Sequence, residues 1–424
     1  MISAKQLINV IMEWFNAILY ISLLVWLHKH NKGKFPLFIT AIWTLSSVLG
    51  IFYIKSDVYR DGVYEPSIIP FLYLFLMFVI TLMPFIKEKY SITSITTSNT
   101  KIINYFCAFI AIVSIYPFLE TVYQLVLSVI NGKILLIGAN YDAYVAGRED
   151  ALIQFSRWGN RGITILQWLK VVTPLLFIFY IQQEKYNKLI ASGVFVASLI
   201  PSLVNISIGS KTELIFFICY FFSLYMYLKN SFTDKTKKIY KKLIRYMTII
   251  TIFFVVTLAV GRYVVGTNYD NSNFYSFLFQ YSSESIYNFN ENAYHEKKHF
   301  GGQYAFYAAY HDFGLSDIDY DERREVFKGK MDGSPSLFYT YIGEMVLDFG
   351  LLGAALIVSI ISFFAASVKR SQTISFDNLI LIGLYIYIIA NSLFYFCFKL
   401  GFYPVYCAVL CSIFFKIIKR KQIA

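Results

Sequence analysis

Hydrophobic positions fall in unbroken runs separated by short polar stretches. They show neither the period of two of a half-buried strand nor the single stripe of a soluble helix. A run of about 20 apolar residues is what a helix needs to cross a hydrocarbon core about 30 Å thick. Eleven runs read as spans, at 6–27, 35–54, 68–86, 102–122, 162–182, 189–208, 213–228, 246–265, 336–362, 378–398 and 403–418, two of them, 213–228 and 403–418, shorter than the rest. Unpaired backbone groups are costly in lipid, so such runs must be helices or the strands of a closed barrel, and the absence of alternation excludes the barrel. The pattern predicts an all-α polytopic membrane protein with about eleven transmembrane helices, forming a single integral membrane domain over 1–424. Two polar stretches are long enough to be folded loops, 131–161 and 266–335.

Composition agrees: 57% of residues are hydrophobic, 19% aromatic and only 15% charged, with a mean hydropathy of +0.55. The short loops at 28–34, 87–101, 183–188, 229–245 and 368–376 and the tail from Lys416 hold more than half of the 38 lysines and arginines. With eleven spans they share one side, which the positive-inside rule makes cytoplasmic, so both long loops face outward from a plasma membrane. The net charge of +12 thus reports orientation and contact with membrane lipids, including the basic run 235–242, and implies no nucleic-acid partner. A signal peptide does not fit the first run, because its denser positive charge follows it and no small-residue cleavage site is present. All five cysteines lie within predicted spans, which excludes a disulfide framework across the outer loops.

Charges in or beside apolar runs need polar partners. Lys211, in the turn Gly209-Ser210-Lys211-Thr212, stands where the next helix presents its N-terminal amides, an arrangement suited to phosphate. Arg262 lies at similar depth with a guanidinium that forks onto phosphate oxygens; Arg148, Arg157 and Arg161 add cations on the first long loop. The plainer alternative is that these side chains snorkel to the headgroups. Glu120 reads as a water-facing acid at a helix start. Glu344 and Asp348, spaced i, i+4, share one helix face, with structural pairing, for instance to Arg262, as their simplest role. The second long loop holds three of the five histidines, His295, His299 and His311. It also carries nine tyrosines between Tyr269 and Tyr320 and six asparagines between Asn268 and Asn292, a mixture of flat apolar faces and amide donors that suits sugars or a membrane-interface belt.

The many-span layout, the Gly-Ser-Lys-Thr turn at 209–212, Gly261-Arg262, Asn288-Phe289-Asn290 ahead of Gly301-Gly302, and the run Gly343-Glu344-Met345-Val346-Leu347-Asp348-Phe349-Gly350-Leu351-Leu352-Gly353 resemble the Wzy-type polysaccharide polymerases. Arg148 and Gly159 match the Arg-x10-Gly spacing of some members. The resemblance implies a GT-C-type, metal-independent glycosyltransferase of a bacterial plasma membrane. Such an enzyme moves a growing O-antigen or capsular glycan from undecaprenyl diphosphate onto a new undecaprenyl-diphosphate-linked unit. It needs no cofactor and works beside a flippase and a chain-length regulator. Its acceptor hydroxyl needs a base, for which His311, Glu291 and His299 are the candidates, with Glu296 and His295 behind them. Arg262, Lys211, Arg148, Arg157 and Arg161 would meet the diphosphate.

Other classes compete. An O-antigen ligase differs only in acceptor, and a flippase or other transporter would explain the spans and cations but not the long outer loop. His295-Glu296-Lys297-Lys298-His299 spells the H-E-x-x-H of zinc peptidases, in which two histidines one helical turn apart bind the metal. Ala305 occupies the position of the metzincin's third histidine. Asp317, Asp319 and Asp321 form overlapping D-x-D pairs without the β/α pattern that accompanies such a motif in sugar-nucleotide transferases.

Overall fold

The computed structural model describes residues 4–56, 59, 62–88, 91–97, 99–130, 155–207, 210, 212–265, 274–316, 323–335, 337–368, 371–399 and 401–421. Its helices, in chain order, are α1 (Ala4–Lys29), α2 (Lys34–Ile54), α3 (Ile68–Ile86), α4 (Thr100–Ile130), α5 (Arg157–Trp168), α6 (Val172–Ile181), α7 (Lys188–Ser207), α8 (Thr212–Leu228), α9 (Asp234–Val265), α10 (Phe274–Glu291), α11 (Tyr307–Asp312), α12 (Arg323–Lys328), α13 (Thr340–Ser367), α14 (Phe376–Ala390) and α15 (Tyr403–Lys421). Strands β1 (Ser94–Thr96) and β2 (Thr373–Ser375) pair in parallel. Six described helices, α1, α2, α3, α4, α7 and α13, are long and apolar enough to cross a membrane. A seventh span results if α5 and α6, bent by 78° at their junction, count as one; α8, α14 and most of α15 are shorter apolar helices. The chain is therefore an all-α, multi-pass membrane protein.

Besides α4 running on to Ile130 and α13 shifted to Thr340–Ser367, the observed helices depart from the predicted layout at four places. The run 162–182 is the bent pair α5–α6, with Lys170 at the bend. The basic loop before the run 246–265 is mostly helix, since α9 begins at Asp234. The outer loop 266–335 opens with the 18-residue α10. The run 378–398 stops at Ala390, and residues 391–399 form turns.

The chain forms two compact units: Met1–Lys89 with Asn271–Val368 and Ile388–Phe402, and Tyr90–Asp270 with Lys369–Tyr387 and Tyr403–Ala424. In the first unit α1 and α2 form a hairpin whose turn uses left-handed Asn31 and Gly33 (φ 51° and 92°). Tyr20, Trp43 and Phe78 join α1, α2 and α3 through ring centroids 4.6–5.5 Å apart. Helix α10 lies on α2, where Ser46 Oγ donates to the Ser282 carbonyl at 2.6 Å. Tyr73 on α3 donates to the Leu351 carbonyl of α13 at 2.6 Å. In the second unit every residue of α6 is buried. Gly193 lets α7 approach α4 so closely that a Cβ there would meet Ala111 Cβ at 2.5 Å.

Helix α13 is two helices meeting at Gly350, whose φ of 68° and ψ of 178° belong to a region open almost only to glycine. A Cβ at that position would also come within 2.7 Å of His299 Nε2. Gly350→Ala should therefore destabilise the first unit by roughly 1–3 kcal/mol from backbone strain alone. The expected outcome is a lower thermal unfolding midpoint in detergent, whereas Gly329→Ala, where a Cβ meets nothing within 4 Å, loses less.

Candidate functional site

The Asn-Phe-Asn motif forms a clamp at the C-terminus of α10. Asn290 takes both backbone groups of Ser67, accepting from its N–H at 3.0 Å and donating to its carbonyl at 2.8 Å. Asn288 Nδ2 donates to the Phe338 carbonyl at 3.1 Å, and Asn292 Oδ1 accepts from Val63 N at 3.1 Å. Between them Glu291, 2% exposed, accepts from Gly62 N at 2.7 Å and from the Tyr59 hydroxyl at 2.9 Å. Gly62 is required there, because any Cβ would overlap the Glu291 side chain. This carboxylate braces the chain entering α3, and a buried acceptor so engaged does not present itself to a sugar hydroxyl as a base.

The H-E-x-x-H segment is not a helix. Ala293–His295 is a single 3-10 turn and the chain runs on without helix from Glu296, so the two histidines do not share a face at helical spacing. Glu296 accepts from Lys298 N at 3.2 Å and Asp332 N at 2.8 Å, which leaves it no role as the water-activating acid of a peptidase. Among the described residues no three His, Cys, Asp or Glu side chains are grouped to hold a metal. His295 stacks on Tyr64 at 4.7 Å, and the Tyr64 hydroxyl donates to Asp332 at 3.0 Å. Partial burial pushes the His295 pKa down, and the bond to Asp332, then desolvation, pushes that of Tyr64 up. His299 is exposed and sits over the Gly350 break. His311 is exposed in the last turn of α11.

Glu344 and Asp348 face two irregular segments. Asp348 accepts from Tyr304 N at 2.8 Å and Ala305 N at 2.6 Å, while Phe300 N and Gly301 N donate to the Leu347 and Asp348 carbonyls at 3.2 and 2.8 Å. Glu344, fully buried, pairs with Lys399 and accepts from Phe396 N at 2.9 Å. The Lys399 ammonium also lies 3.6 Å from the centroid of the Tyr304 ring. Glu344 thus has Lys399 as a partner; the expected pairing with Arg262 falls on a side chain outside the described residues. Thr340 N and Tyr341 N, which begin α13 and lack helical partners, donate to the Phe394 and Ser392 carbonyls at 3.1 and 2.8 Å. That exchange accounts for α14 ending early. Sequence reading passed over Lys399; its one signal was being a lone cation at the edge of an apolar run.

The cations expected at a diphosphate are less fully placed. Arg148 and Lys211 lie outside the described residues, as do Asp317, Asp319 and Asp321, and Arg262 is on α9 with its side chain outside the description. Arg157 and Arg161 are exposed on the first turns of α5, with the Arg161 guanidinium 5.1 Å from the centroid of the Trp158 ring. The N-terminus of α5 is already occupied by an anion: Glu120 accepts from Ser156 N at 2.6 Å and Ser156 Oγ at 3.0 Å. Gly159 of the Arg-x10-Gly spacing leaves room for this carboxylate, which a Cβ would overlap. Glu120 is therefore a cap rather than a solvated acid. Lys170, at the α5–α6 bend, pairs with Glu213 of α8 at 2.9 Å.

Removing one partner of a buried ion pair leaves an uncompensated charge and costs about 3–5 kcal/mol. Lys399→Met should lower the unfolding midpoint sharply, and adding Glu344→Gln should restore much of the loss. His295 has a folded pKa below its ordinary 6.5. Its contribution to stability is full above pH 6.5 and is lost as pH falls from there through the folded value. Melting curves of His295→Phe should show a shallower acid-side decline than those of the wild type.

No family model, curated protein or solved structure matches the chain.

Proposed function

We propose that the chain is a GT-C-like glycosyltransferase with eleven membrane passages that polymerises lipid-linked oligosaccharide repeat units at the outer face of a bacterial plasma membrane. The observation that carries this reading is the exposed His299 imidazole seated on the Gly350 break of α13. Non-helical backbone at membrane depth is tolerated where it is packed in protein or lines a polar cavity. Here the break brings a group able to move a proton next to an apolar span. Around it the segments 296–306 and 391–399 are held by buried carboxylates, which is the rigid support a reacting constellation needs.

In this reading the non-reducing-end hydroxyl of the incoming unit gives its proton to His299 as its oxygen attacks the anomeric carbon of the growing glycan. The bond to undecaprenyl diphosphate breaks, and the departing diphosphate carries the new negative charge. Arg262, Lys211, Arg148, Arg157 and Arg161 are the cations the sequence offers for that charge. Of the base candidates, His299 is favoured over Glu291, whose carboxylate is engaged by backbone, and over His311, which has no comparable seat.

A positioned base contributes about 10²–10⁴-fold in rate, so His299→Gln should reduce chain extension by that factor without loss of protein. Arg262→Ala and Lys211→Ala should abolish it. The assay is a gel of product formed from a lipid-linked repeat unit by purified enzyme. A ladder in the wild type that collapses to the single unit in the variants supports the proposal. Undiminished long polymer in all three would reject it, and absence of any ladder in the wild type would point to a ligase or flippase.

A further inference from the structure

Helix α1 carries Glu13, Asn16 and Tyr20 at spacings of three and four, so they share one face. That face is turned into the first unit, with exposures of 1%, 0% and 0%, while Ile11, Trp14 and Ile18 on the other side are exposed. Glu13 lies inside the candidate span Leu7–Lys29, where an ionisable side chain is a functional candidate by default. Asn16 Nδ2 contacts Glu13 Oε1 at 2.9 Å and Ser47 Oγ of α2 at 3.1 Å. Glu13 Oε2, Asn16 Oδ1 and the Tyr20 hydroxyl are buried with no hydrogen-bond partner. Gly50 of α2 makes the space: a Cβ there would lie 2.7 Å from Glu13 Oε1.

Among the described residues no cation is paired with Glu13. From α2 come Ser47, through Asn16, and Gly50. Phe75 and Phe78 of α3 enclose the neighbouring Tyr20 ring. The titratable neighbours are Tyr20 itself and, from α10, Tyr287 and Glu291. A bare carboxylate in such surroundings would bear a desolvation penalty of several kcal/mol with nothing opposite to offset it. A protonated one bears far less, because only a neutral polar group is then buried. With its amide oxygen turned toward the pair, Asn16 would accept from both a Glu13 O–H and the Ser47 hydroxyl at the same distances. One turn nearer the chain's start, Asn9 Nδ2 donates to the Tyr59 hydroxyl at 3.1 Å, which donates to Glu291, a part-buried polar chain that starts four residues from Glu13 on the same helix.

We propose that Glu13, cradled by Asn16, Ser47 and Gly50, is a membrane-embedded proton-binding site whose carboxyl holds an exchangeable proton at neutral pH. This goes beyond the glycosyl-transfer reading and does not depend on it.

Infrared difference spectroscopy of the full-length protein in lipid nanodiscs tests it. At pH 7 the wild type should show a carboxylic-acid C=O band that moves in D2O and is lost, by one carboxyl equivalent, in Glu13→Gln. Glu13→Asp should retain a shifted band, and Gly50→Ala, which crowds Oε1, should shift it as well. The comparison is made in choline chloride and in sodium chloride. A band lost selectively in sodium would overturn the proposal in favour of a monovalent-cation site. A spectrum unchanged by Glu13→Gln, or by Gly50→Ala should the first variant not fold, would overturn it outright.

Discussion

A carboxylate oxygen accepting a backbone N–H recurs at five of the places where this chain is not helical. Asp348 holds Tyr304 and Ala305, Glu344 holds Phe396, Glu291 holds Gly62, Glu296 holds Lys298 and Asp332, and Glu120 holds Ser156. The physical reason is the solvent. A helix satisfies its own amides, but an unwound segment packed against apolar spans has no water to replace the lost partners. A charged acceptor is the strongest substitute, with a net contribution of about 1.5–3 kcal/mol per bond. Breaks in α13 and after α14 are thereby fixed arrangements.

This use of acids decides which side chains remain for chemistry. Glu291, Glu344 and Asp348 looked in sequence like carboxylates available to a substrate or to a distant cation, and each is instead committed to backbone. Among the described residues of the segment 295–312, the histidines His299 and His311 stay exposed, with Lys297 and Lys298 beside the former. Glu13 differs from the five bracing acids: it accepts from a side-chain amide alone and leaves one oxygen unpartnered.

The helices were legible because a hydrocarbon-length apolar run has few alternatives, and α3 begins and ends where its run does, at Ile68 and Ile86. Irregular structure was not legible in the same way. Residues 391–399 read as apolar helix, since Leu393, Phe394, Phe396 and Phe398 outweigh Asn391 and Ser392, and only the distant N-terminus of α13 makes turns there favourable. Partners separated by 44, 52 and 229 positions, as in Asp348–Tyr304, Glu344–Phe396 and Glu291–Gly62, leave no local pattern. The Asn-Phe-Asn and H-E-x-x-H motifs were visible as strings, but one proves to be a clamp on Ser67 and the other lacks the helix its chemistry requires.

Lysine at position 399 fits this frame better than arginine would. The ammonium is a compact charge with three donors, and here it meets Glu344 on one side and the face of Tyr304 on the other, a cation–π contact that gains strength when water is excluded. Tyr304 also gives its backbone N–H to Asp348. One tyrosine therefore links both acids of α13, through its ring to the Glu344–Lys399 pair and through its amide to Asp348. Movement of the 296–306 segment would disturb both, and the backbone that carries His299, in that segment, is anchored by the same coupling.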